Sequence, residues 1–163
     1  MRNRRRHRAA FVAAGVYNIG WGALTVARPQ WLFGLAGMPP ANHPQVFACL
    51  GMVIGLYGVV YLEIARRPED GWVLAAVGLT GKVLGPVGLA YLLVTRQWPL
   101  ATVVLCLTND VVWWPSFAAY LRDAWPSFRA TWAAGSQNGS TNEGGHGARD
   151  EGQALSRRAA QAA

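Results

Sequence analysis

The sequence predicts an all-α fold: an integral membrane four-helix bundle with a short outer interfacial helix and a disordered C-terminal tail. Hydrophobic residues make up 52% of the 163 residues, whereas charged residues make up only 14%. The charges also avoid the middle of the chain, because residues 9–121 hold only nine of the 23 charged side chains. Within that range, four apolar stretches reach the roughly 20 residues that a helix needs to cross a bilayer.

These four predicted spans cover residues 9–27, 46–65, 72–95 and 99–121. No alternating strand pattern competes with helices, and only helices or closed barrels can span lipid. The central residues carry too little charge to cover a water-exposed surface, which argues against a soluble enzyme. The sequence pI is near 10.3, but the basic residues cluster at the ends of apolar runs, so no nucleic-acid partner is expected.

The distribution of arginine predicts the orientation in the inner cell membrane. Five arginines lie in a basic arm of residues 1–8, two follow the second span, and two more follow the fourth. Lys and Arg concentrate on the cytoplasmic side, so both termini are expected in the cytoplasm. A cleaved signal peptide is the alternative for the first span. It is disfavoured because cleavage would leave an odd number of spans and a basic C-terminal segment outside.

Three shorter segments complete the predicted order of elements. Residues 29–40 are apolar but too short to cross, which favours a helix at the outer interface anchored by Trp31 and Phe33. Residues 122–134 place Trp125, Phe128 and Trp132 on one helical face, which predicts an amphipathic segment on the inner leaflet. Residues 135–163 are polar and lack aromatic side chains, so we expect a disordered cytoplasmic tail.

Polar residues inside the spans are the candidate functional residues. At about 1.5 Å of rise per residue, Lys82, Asp110 and Asn18 fall near the bilayer midplane, and Asn109 adjoins Asp110. Opposite charges at matched depth offset the cost of burial by pairing, so the sequence predicts a Lys82–Asp110 ion pair. Two interpretations stay open, namely a staple that fixes helix register and a site for a proton, an ion or a ligand.

Prolines and tryptophans surround this predicted polar cluster. Pro86 removes the helical hydrogen bond to the Lys82 carbonyl, and Pro115 removes the one to Val111. Broken helices often line cavities in membrane proteins. Trp113 and Trp114 lie close by, where they form either a flat wall for a hydrophobic ligand or simple packing volume.

Glycine faces on the second and third spans predict close helix packing. The helix-packing candidates are Gly51, Gly55, Gly78, Gly81, Gly85 and Gly88. No metal motif, catalytic set or cofactor motif is evident in the sequence, so no cofactor is expected and an enzyme is disfavoured. Cys49 and Cys106 lie at depths that permit a disulfide if their spans touch, and their pairing is left open.

The layout resembles the DoxX-like group of small bacterial four-helix membrane proteins, including its uncharacterised relatives. The likeness rests on the Ala27-Arg28-Pro29 end of the first span, the segment 31–40, and the stretches 81–86 and 108–115. It covers roughly residues 9–121. The resemblance implies a four-helix membrane fold and, through some members of the group, an association with membrane redox enzymes and quinones. No redox motif is matched in this sequence, so that association does not transfer residue by residue.

Three functions are compatible with the sequence. The first is a small membrane protein whose polar cluster binds a ligand or supports a membrane partner, including a redox partner. The second is a minimal proton- or solute-transporting unit that acts as a homo-oligomer, and the third is a purely structural membrane protein. In each case the lipid bilayer is the principal partner.

Overall fold

The computed structural model describes residues 3–134, and every regular element in that range is helical. This confirms the predicted all-α class for the described residues. The predicted disordered tail of residues 135–163 and the first two residues of the basic arm lie outside the described range. The elements are α1 (Arg4–Ala27), α2 (Trp31–Leu35), α3 (Pro44–Arg66), α4 (Trp72–Val94), α5 (Thr102–Asn109), a 3-10 turn (Val111–Trp113) and the helical residues 114–134.

Three of these helices, α1, α3 and α4, are long and apolar enough to cross a membrane. Their bounds agree with the first three predicted spans, except that α1 starts at Arg4 and takes up most of the basic arm. Prolines mark the ends, since Pro29 and Pro68 each follow a helix end closely and Pro44 occupies the first turn of α3. Proline is tolerated in a first helical turn but cannot continue a helix.

The fourth predicted span differs from the prediction. Residues 99–121 do not form one continuous helix, because α5 ends at Asn109 and a 3-10 turn intervenes before helix resumes at residue 114. Pro115 is the local reason, since its missing N–H cannot bond the Val111 carbonyl. The chain divides into two compact units at Trp125. We therefore label residues 114–125 as α6 and describe residues 126–134 separately.

The second unit begins at Pro126, and its residues 126–134 are helical. Within it, the rings of Phe128 and Trp132 lie 6.0 Å apart. Trp125 belongs to the first unit, where its ring lies 5.2 Å from that of Trp72. The aromatic residues of the predicted amphipathic segment 122–134 are thus divided between the two units.

Helices α1 and α3 pack antiparallel along a seam of glycines. A methyl group added at Gly15 would lie 2.9 Å from the Gly58 carbonyl oxygen, and one added at Gly22 would lie 2.5 Å from the Gly51 carbonyl oxygen. These pairs are seven residues apart on each helix, which is two turns of a common face. Only glycine permits this backbone approach, so the seam fixes the register of α1 on α3.

The aromatic core lies at one end of the first unit, which we call the arginine end because Arg4 and Arg66 lie there. Four large rings fill it, and each is at most 2% exposed: Phe11, Tyr61, Phe117 and Tyr120. Two hydrogen bonds brace this end, because Tyr120 donates to the Pro68 carbonyl at 2.8 Å and the Trp72 indole donates to the Leu121 carbonyl at 3.0 Å. The connection between α3 and α4 is thereby tied to α6.

The opposite end, which we call the α2 end, is organised by α2. The Trp31 indole donates a hydrogen bond of 3.1 Å to the Thr25 hydroxyl of α1. The buried ring of Phe33 lies 4.6 Å from the ring of Phe47 in α3. The short helix predicted within residues 29–40 is therefore present at Trp31–Leu35 and joins α1 to α3.

We predict that Gly22→Ala destabilises the protein although alanine favours helix. The helix preference contributes about 1 kcal/mol in favour of alanine. Overpacking against the α3 backbone costs about 1–3 kcal/mol, which outweighs it. The measurement is the melting temperature in detergent. Gly20→Ala is the matched control, because a methyl group there meets no atom within 4 Å. A Gly22→Ala variant as stable as the control would contradict the glycine seam.

Candidate functional site

The candidate site lies where α4 faces the break between α5 and α6. The break leaves the backbone carbonyl of Asn109 without a helical partner. In a regular helix the Trp113 N–H would donate to this carbonyl, but here it donates to the Asp110 carbonyl at 3.2 Å instead. The Lys82 ammonium donates to the free Asn109 carbonyl at 2.6 Å. The break therefore creates an acceptor for a lysine that is only 4% exposed.

Proline creates the reciprocal contact on α4. Pro86 has no N–H to donate to the carbonyl of Lys82 four residues earlier. The Trp114 indole N–H donates to that carbonyl at 3.0 Å. The carbonyl left unpaired by Pro86 is thus satisfied by a side chain of α6. Helix α4 and the broken element formed by α5, the 3-10 turn and α6 therefore exchange one hydrogen bond in each direction.

The structure brings the predicted charged pair together. The Lys82 Nζ lies 3.7 Å from the Asp110 Oδ1, with side-chain exposures of 5% and 15%. Asp110 also accepts a hydrogen bond of 2.9 Å from the Asn109 amide nitrogen and contacts the Cys106 sulfur at 3.8 Å. The ring centroid of Tyr61 lies 5.8 Å from the Lys82 Nζ. The aspartate at the break is therefore held from three directions.

Two cavities meet at Asp110. The first, of about 290 Å³, contains the polar side chains and is called the polar lobe. Its lining is Asn18, Leu50, Val53, Ile54, Tyr57, Tyr61, Gly78, Gly81, Lys82, Gly85, Asn109 and Asp110. The second, of about 250 Å³, lies toward the α2 end and is called the apolar lobe. Its lining is Trp21, Leu32, Leu50, Ile54, Gly85, Leu89, Trp98, Thr102, Leu105, Cys106, Asn109 and Asp110.

Two amide oxygens near this junction have no hydrogen-bond partner. They are the Oδ1 atoms of Asn18 and Asn109, and both residues line the polar lobe. Asn18 is only 4% exposed. Buried polar atoms in native proteins are nearly always paired, and leaving one unpaired costs about 1–3 kcal/mol. These two oxygens therefore mark a place where a hydrogen-bond donor would be stabilised.

The two predicted tryptophans have different surroundings. Trp113 lies 5.7 Å from Tyr17 of α1, between ring centroids, and lines a separate shallow groove with Leu107 and Val112. Its indole nitrogen is buried and unpaired. Trp114 instead binds the Lys82 carbonyl, as described above. The structure thus places the pair at two positions instead of along one wall.

The predicted packing glycines also have different surroundings. Gly51 packs against α1, and Gly22 of α1 lies against the backbone of Gly55. Gly78 contacts the Tyr61 ring, and a methyl group at Gly85 would lie 2.9 Å from the Asp110 Oδ2. A methyl group at Gly81 or Gly88 would meet no atom within 4 Å. The site therefore needs Gly85 for the position of Asp110, whereas Gly81 borders open space in the polar lobe.

Sequence reasoning missed a second buried polar pair at the arginine end. The His7 Nε2 lies 3.0 Å from the Asp123 Oδ2, and both side chains are less than a tenth exposed. The hydrogen bond with His7 lowers the pKa of Asp123 below its usual value, and the nearby Arg122 acts in the same direction. The partners are 116 residues apart in the sequence, and no local motif signals the pair.

Among residues 3–134, no group of three or more His, Cys, Asp or Glu side chains could hold a metal ion. Cys49 and Cys106 are both free thiols. No protein-family model, curated protein or solved structure matches the chain.

We predict that Lys82→Met and Asp110→Leu are each strongly destabilising and that the double variant costs less than their sum. Removing one partner of a buried pair leaves the other charge uncompensated, at about 3–5 kcal/mol. The measurement is a double-mutant cycle on melting temperature in detergent. The control cycle uses Glu63→Gln and Arg66→Met, an exposed pair at 2.7 Å that should couple by less than about 1 kcal/mol. Additive effects at Lys82 and Asp110 would contradict the ion pair.

Proposed function

We propose that the chain is an inner-membrane four-helix protein that binds a lipid-soluble small molecule in the polar lobe. In this proposal α1, α3 and α4 cross the bilayer, and the broken helix formed by α5, the 3-10 turn and α6 is the fourth element. The DoxX-like resemblance stays a prediction and contributes no residue to the site.

The exposed surface supports membrane insertion. Helix α3 presents large apolar side chains outward along its length, including Val46 at 64% and Leu56 at 65% exposure. Helix α4 does the same with Val87 and Tyr91. Contiguous apolar surface of this extent is unfavourable in water and expected where helices face lipid.

The observation that carries the binding proposal is a cavity lined by two asparagines whose amide oxygens are unpaired. A bundle held only by a structural staple has no need of about 290 Å³ of space beside two unpaired amide oxygens. That volume corresponds to roughly ten water molecules, which suits a compact organic group. Leu50 and Val53 are half exposed and also line the polar lobe, so the route of entry runs from the lipid.

The alternative of a proton- or solute-transporting unit needs a path from Asp110 to the arginine end. In the described residues that path is filled by the rings of Phe11, Tyr61, Phe117 and Tyr120. The rings contact one another at centroid distances between 4.6 and 6.2 Å. A filled aromatic core supports binding over conduction, since conduction requires water or polar groups along the route.

We predict a topology in which the connection between α3 and α4 lies in the cytoplasm. In a background without Cys49 and Cys106, a cysteine at Asp70 should resist an impermeant maleimide in intact cells. One at Asn42 should be labelled. Pro68 of the same connection is buried and therefore unsuitable, whereas Asp70 is exposed. Labelling of Asp70→Cys after permeabilisation is the control, and its labelling from outside would overturn the orientation.

We predict that filling the polar lobe abolishes ligand binding without unfolding the protein. The ligands are decanol, decanoic acid and decylamine, added to protein in lipid nanodiscs. A ligand at about 100 times its Kd should raise the melting temperature by about 5–10 °C. Gly81→Val should abolish the shift, because the new side chain occupies the lobe.

The matched control is Gly88→Val, which lies on the same helix in open space but lines neither lobe. It should keep the shift seen for the natural protein. Equal shifts in both variants would mean that the ligands act through the lipid. The absence of any shift in the natural protein would overturn the proposed function.

A further inference from the structure

We infer that the two lobes form one site for an uncharged amphiphile: a hydroxyl-bearing head group in the polar lobe and an alkyl chain in the apolar lobe. The inference rests on the proposed function and assigns the chemical class of the ligand.

The lobes are contiguous at the break in the fourth helical element. Both linings contain Leu50, Ile54, Gly85, Asn109 and Asp110. Gly85 keeps this junction open, since any side chain there would meet the Asp110 carboxylate. A ligand that reaches Asp110 from one lobe therefore extends into the other.

Charge balance selects an uncharged head group. Among the described lining residues, Lys82 and Asp110 are the only basic and acidic side chains, and they lie 3.7 Å apart as one pair. An ammonium or carboxylate head group would bring an additional charge with no counter-charge into an apolar surrounding. Burial of an unpaired charge is strongly unfavourable.

The unpaired atoms select a hydrogen-bond donor. The amide of Asn109 is oriented by its nitrogen, which donates to the Asp110 Oδ1 at 2.9 Å. Its oxygen must therefore be the atom left without a partner. Asn18, which lines the same lobe, has a second unpaired side-chain oxygen. A hydroxyl group donates to such an oxygen, whereas an ether of the same size does not.

The apolar lobe suits the alkyl chain of the ligand. Its wall is mostly hydrocarbon and indole, contributed by Trp21, Leu32, Leu89, Trp98 and Leu105. It points away from the aromatic core and toward the α2 end. An alkyl chain placed there is removed from competing polar groups and lies beside two tryptophans that can report its position.

The test compares four bromine-terminated ten-carbon ligands that differ only in the head group: an alcohol, its methyl ether, a carboxylic acid and a primary amine. Each is titrated into protein in nanodiscs while bromine quenching of tryptophan fluorescence is recorded. The alcohol should bind about tenfold more tightly than the ether, because the ether leaves a buried acceptor unpaired. It should also bind more tightly than the acid and the amine.

Variants locate the two parts of the ligand. Asn109→Leu and, independently, Asn18→Leu should reduce the preference for alcohol over ether, while the exposed control Asn42→Leu keeps it. The double variant Trp21→Phe/Trp98→Phe should remove most of the quenching. Trp125→Phe, at the arginine end of the first unit, should leave it unchanged.

Each result of these titrations tests one part of the proposal. Tighter binding of the acid or the amine would overturn the uncharged class and leave the proposed binding function intact. An ether that binds as well as the alcohol would overturn the role of the unpaired oxygens. Quenching that persists without Trp21 and Trp98 would overturn the placement of the alkyl chain in the apolar lobe. If none of the four ligands binds, the proposed function itself fails.

Discussion

The centre of this structure depends on an exchange of backbone hydrogen bonds between α4 and the broken fourth element. Each helix has a carbonyl that its own backbone cannot satisfy, one freed by Pro86 and the other by the break after Asn109. Trp114 and Lys82 supply the missing donors across the interface. Because unpaired carbonyls are costly where water is absent, neither irregularity is tolerable without the other helix.

Helix rise alone predicted which polar residues share a layer, and the structure places Lys82 and Asp110 3.7 Å apart. In a regular helix, the depth of a residue in the membrane follows from its distance in sequence from the helix end, so this prediction needed no tertiary information. The same reasoning could not predict that the fourth helical element is broken at Asp110. Pro115 predicts the loss of one helical hydrogen bond. Whether the chain then kinks or forms a 3-10 turn depends on tertiary contacts such as the one made by Trp114. The His7–Asp123 pair was out of reach for a similar reason, since only the packing of α1 on α6 brings its partners together.

Glycine has two different consequences in this fold. Between α1 and α3, Gly15, Gly22, Gly51 and Gly58 allow backbone contact and close the interface. On α4, Gly81 and Gly85 face the lobes, where the absence of a side chain leaves space. A sequence pattern of small residues cannot separate these cases, because the same spacing serves a tight seam and an open wall. Only the neighbouring helix decides, as the absence of any atom near Gly81 illustrates.

The two ends of the first unit therefore have opposite characters. The arginine end holds the core of aromatic rings and the Tyr120–Pro68 and His7–Asp123 contacts. A cavity of about 250 Å³ beside His7 and Asp123 also lies at the arginine end. The polar and apolar lobes lie on the other side of the aromatic core, next to Asp110. The aromatic core separates this charge pair from the arginine end, which supports our proposal of binding over conduction. In the proposed binding function, the pair and the two asparagines present a partly hydrogen-bonded surface to a small molecule that enters from the lipid.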